Sequence, residues 1–243
     1  MNEFKDVFDD KPGRTTVVEH TIRLVPGARP VRQTPYRLHP EKQRAVINTE
    51  IASLLERGII EETNSPWADP ILVVPKPNST RRLCVDYRKL NNLIEPDPIP
   101  MPRIDALLHR LGGATIMTKL YMNRGYWQVP IALSDVGLTC FVTSHGPYHW
   151  RFLPFGLRNA PATFSRLVTK VFKGLEEFCE AYLDDIMVFS RSCEAHINHL
   201  QQAFDRIRLA NLKLNILICE FANANLDFLD QTLSLNMVQP RQQ

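Results

Sequence analysis

Apolar residues recur at helical spacing in four segments of the chain, and residues that begin or end helices bound each segment. Proline favours the first turn of a helix, glycine follows its last turn, and serine caps its amino terminus. We expect the apolar stripes of these helices to face the core. The predicted helices run from Pro40 to Gly58, from Pro102 to Gly112, from Pro161 to Leu175, and from Ser192 or Cys193 to Ile207.

Short runs of β-branched, aromatic and other apolar residues between turn-forming residues predict strands. These strands arrive among the helices in an irregular order, which indicates an α+β fold rather than repeating βαβ units of a Rossmann or barrel fold. The predicted strands occupy residues 71–74, 83–85, 115–121, 125–129, 226–229 and 232–235, together with a hairpin over residues 181–190.

Composition narrows the class of protein only moderately. The 243 residues suffice for one large domain or two small lobes, and the net charge of +3 is too small to indicate a nucleic-acid ligand by itself. Five widely spaced cysteines without a Cys-x-x-Cys pair argue against a zinc ribbon or a disulfide framework. The charged amino terminus and the lack of a long apolar run predict neither a signal peptide nor a membrane span, so we expect a soluble intracellular protein.

Two basic regions remain open to two interpretations each. Residues 1–38 are rich in proline and arginine, which predicts an extended amino-terminal arm whose arginines either follow a phosphate backbone or keep the segment soluble. The turn over residues 75–82 carries three cations between two predicted strands. It is either a solvated turn or a phosphate contact.

The sequence offers two candidate sets of metal ligands. Asp184 and Asp185 lie between two apolar runs, so they belong at the tip of the predicted hairpin. Two crowded carboxylates form a cradle for a hard divalent cation, although paired aspartates are also ordinary turn residues. His196 and His199 are three residues apart on a predicted helix, but without a third ligand we interpret them as surface histidines.

Several motifs, in their order and spacing, resemble the reverse transcriptase of gypsy-type long-terminal-repeat retrotransposons. The resemblance covers nearly the whole chain and makes the metal interpretation of the paired aspartates the favoured one. The motifs are Ser65-Pro66-Trp67-Ala68, Val85-Asp86-Tyr87-Arg88-Lys89-Leu90-Asn91, Gly125-Tyr126-Trp127-Gln128, Leu153-Pro154-Phe155-Gly156-Leu157-Arg158-Asn159-Ala160-Pro161-Ala162-Thr163-Phe164 and Tyr182-Leu183-Asp184-Asp185.

The resemblance implies the fingers and palm of a right-hand polymerase, with an antiparallel palm sheet packed on helices. After the arm at 1–38, the fingers would take residues 39–97 and 129–159. The palm would take residues 98–128 and 160–243, ending at a primer-holding hairpin. No thumb, ribonuclease H or integrase segment is recognisable.

The resemblance also implies roles for individual residues in template-directed DNA synthesis from dNTPs. The catalytic and metal-binding carboxylates would be Asp184 and Asp185, holding two Mg²⁺ or Mn²⁺ ions in an intact member of the family. The partners would be an RNA or DNA template-primer and dNTPs. The nucleotide would contact Lys76, Arg82, Tyr126, Phe155 and Gly156, and the primer would contact Phe228, Leu229 and Asp230.

One departure from the family pattern concerns the metal site itself. Tyr121 occupies the position where the family has a metal-binding aspartate, four residues before the glycine of Gly-Tyr-x-Gln. A neutral phenol replaces an anionic ligand there, so we expect polymerisation to be impaired or lost. In the family's geometry, Asp230 in the primer hairpin would face the primer phosphates and repel them. The alternative function is a non-catalytic nucleic-acid-binding or protein-interaction domain.

Overall fold

A computed structural model describes residues 2–36, 41–75, 81–99, 110–111, 113–182, 184–228, 231–234 and 237–240. The chain forms two compact units. The first unit consists of Met1–Val18, Ile99–Gln128 and Phe164–Gln243, and the second of Glu19–Pro98 and Val129–Thr163.

The described helices largely follow the apolar stripes of the sequence. Ile51 in the first helix and Leu167 in the third are buried as predicted, whereas Ile197, part of the apolar stripe predicted for the last helix, is exposed. The predicted helix that begins at Pro102 lies mostly outside the described residues. The helices are α1 (Glu41–Glu56), α2 (Arg88–Leu93), α3 (Ala160–Val171) and α4 (Cys193–Leu209), with short 3₁₀-helices at Asn2–Val7, Gly125–Gln128, Val136–Thr139 and Ile216–Ile218.

The described strands confirm most of the predicted ones, but four others, at Ile60–Glu62, Phe141–Thr143, Gly146–Trp150 and Glu220–Asn223, were not predicted. The segment Gly125–Gln128, predicted as a strand, is a 3₁₀-helix, and a third strand follows the carboxy-terminal hairpin. The strands are β1 (Ile60–Glu62), β2 (Asp69–Pro75), β3 (Arg81–Val85), β4 (Ile116–Tyr121), β5 (Phe141–Thr143), β6 (Gly146–Trp150), β7 (Cys179–Tyr182), β8 (Asp185–Ser190), β9 (Glu220–Asn223), β10 (Leu226–Phe228), β11 (Gln231–Ser234) and β12 (Met237–Pro240).

The second unit is built on a five-stranded sheet in the order β1-β6-β5-β2-β3. All of its neighbouring strands are antiparallel except β2 and β5. The buried phenol of Tyr87, which follows β3, donates a hydrogen bond to the carbonyl of Thr139 at 2.8 Å. This bond satisfies a polar group that burial would otherwise leave unpaired.

The first unit contains a wholly antiparallel four-stranded sheet in the order β7-β8-β4-β9, and a three-stranded sheet of β10, β11 and β12. Helix α4 packs on strands β8 and β4 of the four-stranded sheet. Its buried face includes Ala203, Phe204 and Ile207. The predicted α+β class, with an antiparallel sheet packed on a helix, is therefore observed.

The 3₁₀-helix at Asn2–Val7 packs against α4, so the amino-terminal segment begins as part of the core. The rings of Phe4 and Phe204 lie 5.2 Å apart, and Arg208 forms an ion pair with Asp6 at 2.6 Å. Phe4 and Val7 are buried. The apolar contacts supply most of the stabilisation, because ion pairs at the surface contribute little.

Gln128 holds together three separate stretches of the first unit. Its buried side-chain carbonyl accepts hydrogen bonds from the amides of Gly13 and Lys213, at 3.1 and 2.7 Å. Its amide donates to the carbonyls of Asn123 and Lys213, each at 2.9 Å. Since every polar group of this buried side chain is satisfied, Gln128 supports the turn that follows β4.

Candidate active site

The paired aspartates lie where β7 turns into β8, as the sequence predicts. Tyr182, the last residue of β7, pairs with Asp185, the first residue of β8, and Asp184 lies in the turn between them. Strand β4 runs alongside and places Tyr121 directly opposite Asp185. The amide of Met122 donates to the carbonyl of Asp184 at 3.0 Å, which anchors the turn to the end of β4.

Asp184 faces the segment that follows β4. A Cβ atom at Gly125 would collide with Asp184 Oδ1 and would lie 2.8 Å from Phe164 Cζ, so only glycine permits this approach. The ring of Tyr126 packs on Phe164 with centroids 5.3 Å apart. Burial, and then the neighbouring charge of Asp185, raise the pKa of Asp184 to about 6.

Asp185 faces two residues of β4. The Lys119 ammonium lies 3.3 Å from Asp185 Oδ2, and both side chains are mostly buried, with 17% and 18% exposed. Burial raises the pKa of Asp185, and the Lys119 charge opposes that rise. Burial, and then the charges of Asp185 and Asp184, raise the pKa of Tyr121 above its usual range. Tyr121 is therefore a neutral phenol at physiological pH.

The described residues bring two carboxylates and one neutral phenol together at this turn. Asp184 Oδ1 and Asp185 Oδ1 are buried and accept no hydrogen bond from the described residues, so each has capacity for a ligand. No group of three His, Cys, Asp or Glu side chains that could hold a metal ion occurs within the described residues. Tyr121 offers only a neutral oxygen, whereas two closely spaced divalent ions require several anionic ligands.

The predicted nucleotide-binding residues lie on both units. Tyr126 is buried in the first unit, where burial and the charge of Asp184 raise the pKa of its phenol to about 12. Phe155 and Gly156 lie in the second unit, where the Phe155 side chain is 44% exposed. Gly156 has a φ of +94° that favours glycine, and its carbonyl accepts a hydrogen bond from Asn91 at 2.8 Å.

The remaining predicted contacts are described only in part. Arg82 pairs with Val74 in the β2–β3 ladder, and its side chain lies outside the described atoms. Phe228 ends β10 opposite Gln231. Lys76, Leu229 and Asp230 lie outside the described residues, so their assigned roles stay predictions.

The histidines of α4 do not lie at the surface as a pair, and for His196 the surface prediction is wrong. His196 is only 2% exposed, while the neighbouring Ile197, expected in the core, is 62% exposed. The His196 ring bonds the hydroxyls of Thr118 and Ser190 at 2.7 and 2.8 Å. His199 also bonds the Ser190 hydroxyl at 2.8 Å, so this cluster links α4 to β4 and β8.

Three further residues shape this site without having been predicted to do so: Lys119, and the motif residues Gly125 and Phe164. Lys119 and Tyr121 are two positions apart on β4, and the alternation of a strand places them on the same face. The spacing alone could therefore have predicted that Lys119 lies near the site. The packing of Gly125 against Asp184 and Phe164 has no comparable local signal, because these residues meet only in the folded chain.

Comparisons with protein families identify relatives of the chain. The family model described as "Reverse transcriptase (RNA-dependent DNA polymerase)" matches residues 74–233. The "Retrovirus-related Pol polyprotein from transposon 297" of Drosophila melanogaster is 34% identical over 99% of this chain and 23% of its own length. The "Transposon Tf2-3 polyprotein" of Schizosaccharomyces pombe is 32% identical over 96% of this chain and 18% of its own length. The chain thus spans about a fifth of the length of these relatives.

Solved structures show the same fold. A foamy viral protease-reverse transcriptase in complex with an RNA/DNA hybrid matches 98% of this chain and 32% of its own, with a TM-score of 0.90 and 21% identity. Native prototype foamy virus protease-reverse transcriptase matches 97% of this chain and 32% of its own, with a TM-score of 0.84 and 26% identity. The predicted fingers-and-palm fold is confirmed. None of the described helices is long and apolar enough to cross a membrane.

Proposed function

The chain belongs to the reverse transcriptase (RNA-dependent DNA polymerase) family, and from this premise we propose that it is a gypsy-type polymerase domain whose catalytic step is impaired. One observation carries the proposal. Tyr121 lies directly opposite Asp185 in the β4–β8 ladder, at the position where the family pattern has an aspartate. The two remaining carboxylates come from one turn, and no third anionic group accompanies them within the described residues.

The cost of this replacement follows from the charge of the missing ligand. In the family's reaction a primer hydroxyl attacks the α-phosphate of a dNTP, and divalent ions stabilise the attacking and leaving oxygens. A phenol with a raised pKa supplies no negative charge at neutral pH. Each ~1.4 kcal/mol of lost transition-state stabilisation slows the reaction tenfold, and a lost anionic ligand costs on the order of several kcal/mol.

We assign the first unit to the palm and the second to the fingers. In this assignment Asp184 and Asp185 bind one Mg²⁺ or Mn²⁺ ion, and Tyr126 limits space beside the nucleotide sugar. Phe155 and Gly156 line the nucleotide and template side. Lys76 and Arg82 contact the triphosphate, for which the planar donor fork of arginine is well suited.

The partner in this proposal is an RNA or DNA template-primer, with dNTPs as substrates. The solved neighbours include reverse transcriptase complexes with double-stranded DNA and with an RNA/DNA hybrid, which supports a nucleic-acid ligand. Binding should rest mainly on phosphate contacts. Protein binding releases cations that are condensed on the phosphates, and added salt opposes this release. The affinity for nucleic acid should therefore fall steeply between about 50 and 200 mM salt. Binding that is independent of salt would contradict this mode of recognition.

A second candidate function is a non-catalytic nucleic-acid-binding or protein-interaction domain. The contacts that hold the site in place are intact, so the domain should stay folded whether or not it catalyses primer extension. Gln128 keeps all its hydrogen bonds, and Gly125 still leaves room for Asp184. The two candidates differ in whether any primer extension remains in the unaltered chain.

Primer extension on a homopolymer RNA template with Mg²⁺ or Mn²⁺ tests the proposal. We expect the unaltered chain to extend primers poorly and Tyr121→Asp to restore synthesis. The matched control is Tyr121→Asn, which removes the ring but adds no charge and should stay inactive. Asp184→Asn in the Tyr121→Asp background should abolish the restored activity.

Two results would contradict this account of the site. If the unaltered chain extends primers efficiently and Asp184→Asn stops it, another group replaces the missing ligand. If Tyr121→Asn restores synthesis as well as Tyr121→Asp, the bulk of the ring is the obstacle rather than the missing charge. If no variant extends primers while all bind template-primer with normal salt dependence, the non-catalytic function is favoured.

A further inference from the structure

Lys119 is the cationic side chain that contacts the proposed metal site. It lies on β4 two residues before Tyr121, and its ammonium is 3.3 Å from Asp185 Oδ2. Because alternate residues of a strand share a face, Lys119 and Tyr121 both point towards the Asp185 side of the sheet. The contact therefore follows from the register of β4 and β8, in which Tyr121 pairs with Asp185 and Lys119 with Met187.

The surroundings of Lys119 make this contact stronger than an ordinary surface ion pair. The Lys119 and Asp185 side chains are 17% and 18% exposed, so solvent and salt screen their attraction only partly. Across the other edge of β4, Lys119 pairs in register with Glu220 of β9, which is exposed. Asp184 adds a second carboxylate close to Asp185. The ammonium thus stands among acidic groups that would otherwise attract a divalent cation.

We propose that the Lys119 ammonium is the built-in counter-ion of Asp185, so that a divalent ion binds this chain singly and in competition with Lys119. This inference rests on the proposed function, because it takes Asp184 and Asp185 as the ion's ligands. An ion that engages both carboxylates through their Oδ1 atoms would place a second cation beside the ammonium at Asp185 Oδ2. Two cations near one carboxylate repel each other, so the contact lowers affinity for Mg²⁺ and Mn²⁺.

The test measures ion binding directly rather than polymerisation. Mn²⁺ is titrated into the full chain without nucleic acid, and free Mn²⁺ is followed by electron paramagnetic resonance. We expect one bound ion, and we expect Lys119→Met to bind it about tenfold more tightly, as removal of a competing charge near a mostly buried carboxylate implies. Methionine keeps the unbranched shape of the lysine stem.

Two controls separate the contact from a general effect of charge. Lys170→Met removes an exposed lysine of α3 and the same unit of net charge, and it should leave Mn²⁺ affinity unchanged. Lys119→Arg keeps a cation at the site and should bind Mn²⁺ as weakly as the unaltered chain. The advantage of Lys119→Met should persist at about 0.5 M salt, where distant charges are screened.

The outcomes distinguish this inference from the proposed function. Equal Mn²⁺ affinity in the unaltered chain and Lys119→Met, with loss of binding in Asp184→Asn, would overturn the role of Lys119 and keep the metal site. An affinity that Asp184→Asn leaves unchanged in every background would overturn the metal site itself. Lys119→Gln serves as the second variant if Lys119→Met does not fold, with circular dichroism as the check.

Discussion

The two faces of strand β4 differ in how their buried polar groups are paired. On one face, the buried Thr118 hydroxyl accepts a hydrogen bond from the amide of Ala222 at 3.1 Å and bonds His196. On the other face, Tyr121 and Lys119 adjoin Asp185, whose Oδ1 accepts no hydrogen bond from the described residues. The first face, which we call the supporting face, holds neutral groups that are paired. The second face holds the buried charge of Asp185, whose Oδ1 could accept a further ligand.

Within one strand, this difference separates residues that stabilise the fold from residues that belong to the candidate site. Buried polar groups that are fully paired stabilise a fold, whereas buried charge without a full set of partners destabilises it and is typical of functional sites. A replacement such as Tyr121 on the second face therefore alters the chemistry without disturbing the packing on the first. Substitutions at the supporting residues and at the candidate site should therefore change stability in different ways.

The largest expected effect belongs to the supporting face. His196→Ala should lower the free energy of unfolding by about 3 kcal/mol, because it leaves a cavity and removes a partner of the Thr118 and Ser190 hydroxyls. Urea denaturation at pH 7.5 measures this loss. His199→Ala, which removes one hydrogen bond and a stacked contact with Phe178, should cost less. If His196→Ala costs under ~1 kcal/mol, the cluster is not a support.

A smaller loss of stability is expected from a substitution in the segment that follows β4. Gly125→Ala should destabilise the fold by about 2 kcal/mol, because its Cβ would collide with Asp184 Oδ1 and crowd Phe164. Thermal unfolding by circular dichroism measures the change. Gly137→Ala is the matched control, since the nearest atom to its Cβ would be Ser65 Oγ at 3.5 Å. An equally small effect of both substitutions would show that Asp184 moves aside without cost.

A substitution at Asp184, in the turn between β7 and β8, should change stability with the opposite sign. Asp184→Asn should raise the free energy of unfolding by about 1 kcal/mol at pH 8, because it removes a buried charge whose Oδ1 accepts no hydrogen bond from the described residues. The folded-state pKa of about 6 is above the unfolded value, so the stability that the protonated form contributes is lost as pH rises through about 6. The gain should therefore vanish near pH 3.8. A loss of stability at pH 8 would contradict the interpretation of Asp184 as a destabilising buried charge.

The smallest expected effect is the acid sensitivity of the supporting face. Burial, and then the charge of His199, lower the pKa of His196, so its neutral form is favoured in the folded state. The unfolded chain then binds more protons, and this contribution to stability is lost as pH falls through about 6.5. The difference in unfolding free energy between the unaltered chain and His196→Gln should shrink by under ~1 kcal/mol from pH 7.5 to pH 5.5. An unchanged difference would mean that His196 does not titrate in this range.

The sequence by itself determined several helices and strands and the position of the paired aspartates at a turn. Apolar periodicity predicted α3 and α4, and the apolar runs on both sides of the paired aspartates predicted the β7–β8 hairpin. The motif spacing identified Tyr121 as the departure from the family pattern. These features depend on neighbours within a few residues along the chain. Local spacing is sufficient for them because helices and strands repeat every few residues.

Only the tertiary structure decided which groups meet at the site and which lie behind it. The contact of Lys119 with Asp185 depends on the register of β4 and β8, and the burial of His196 in place of Ile197 depends on how α4 rotates on the sheet. The third strand of the carboxy-terminal sheet likewise forms only by pairing with β11. Contacts between residues distant along the chain follow from packing. The side-chain periodicity of a single segment does not specify which other segment it will pack against or in what register.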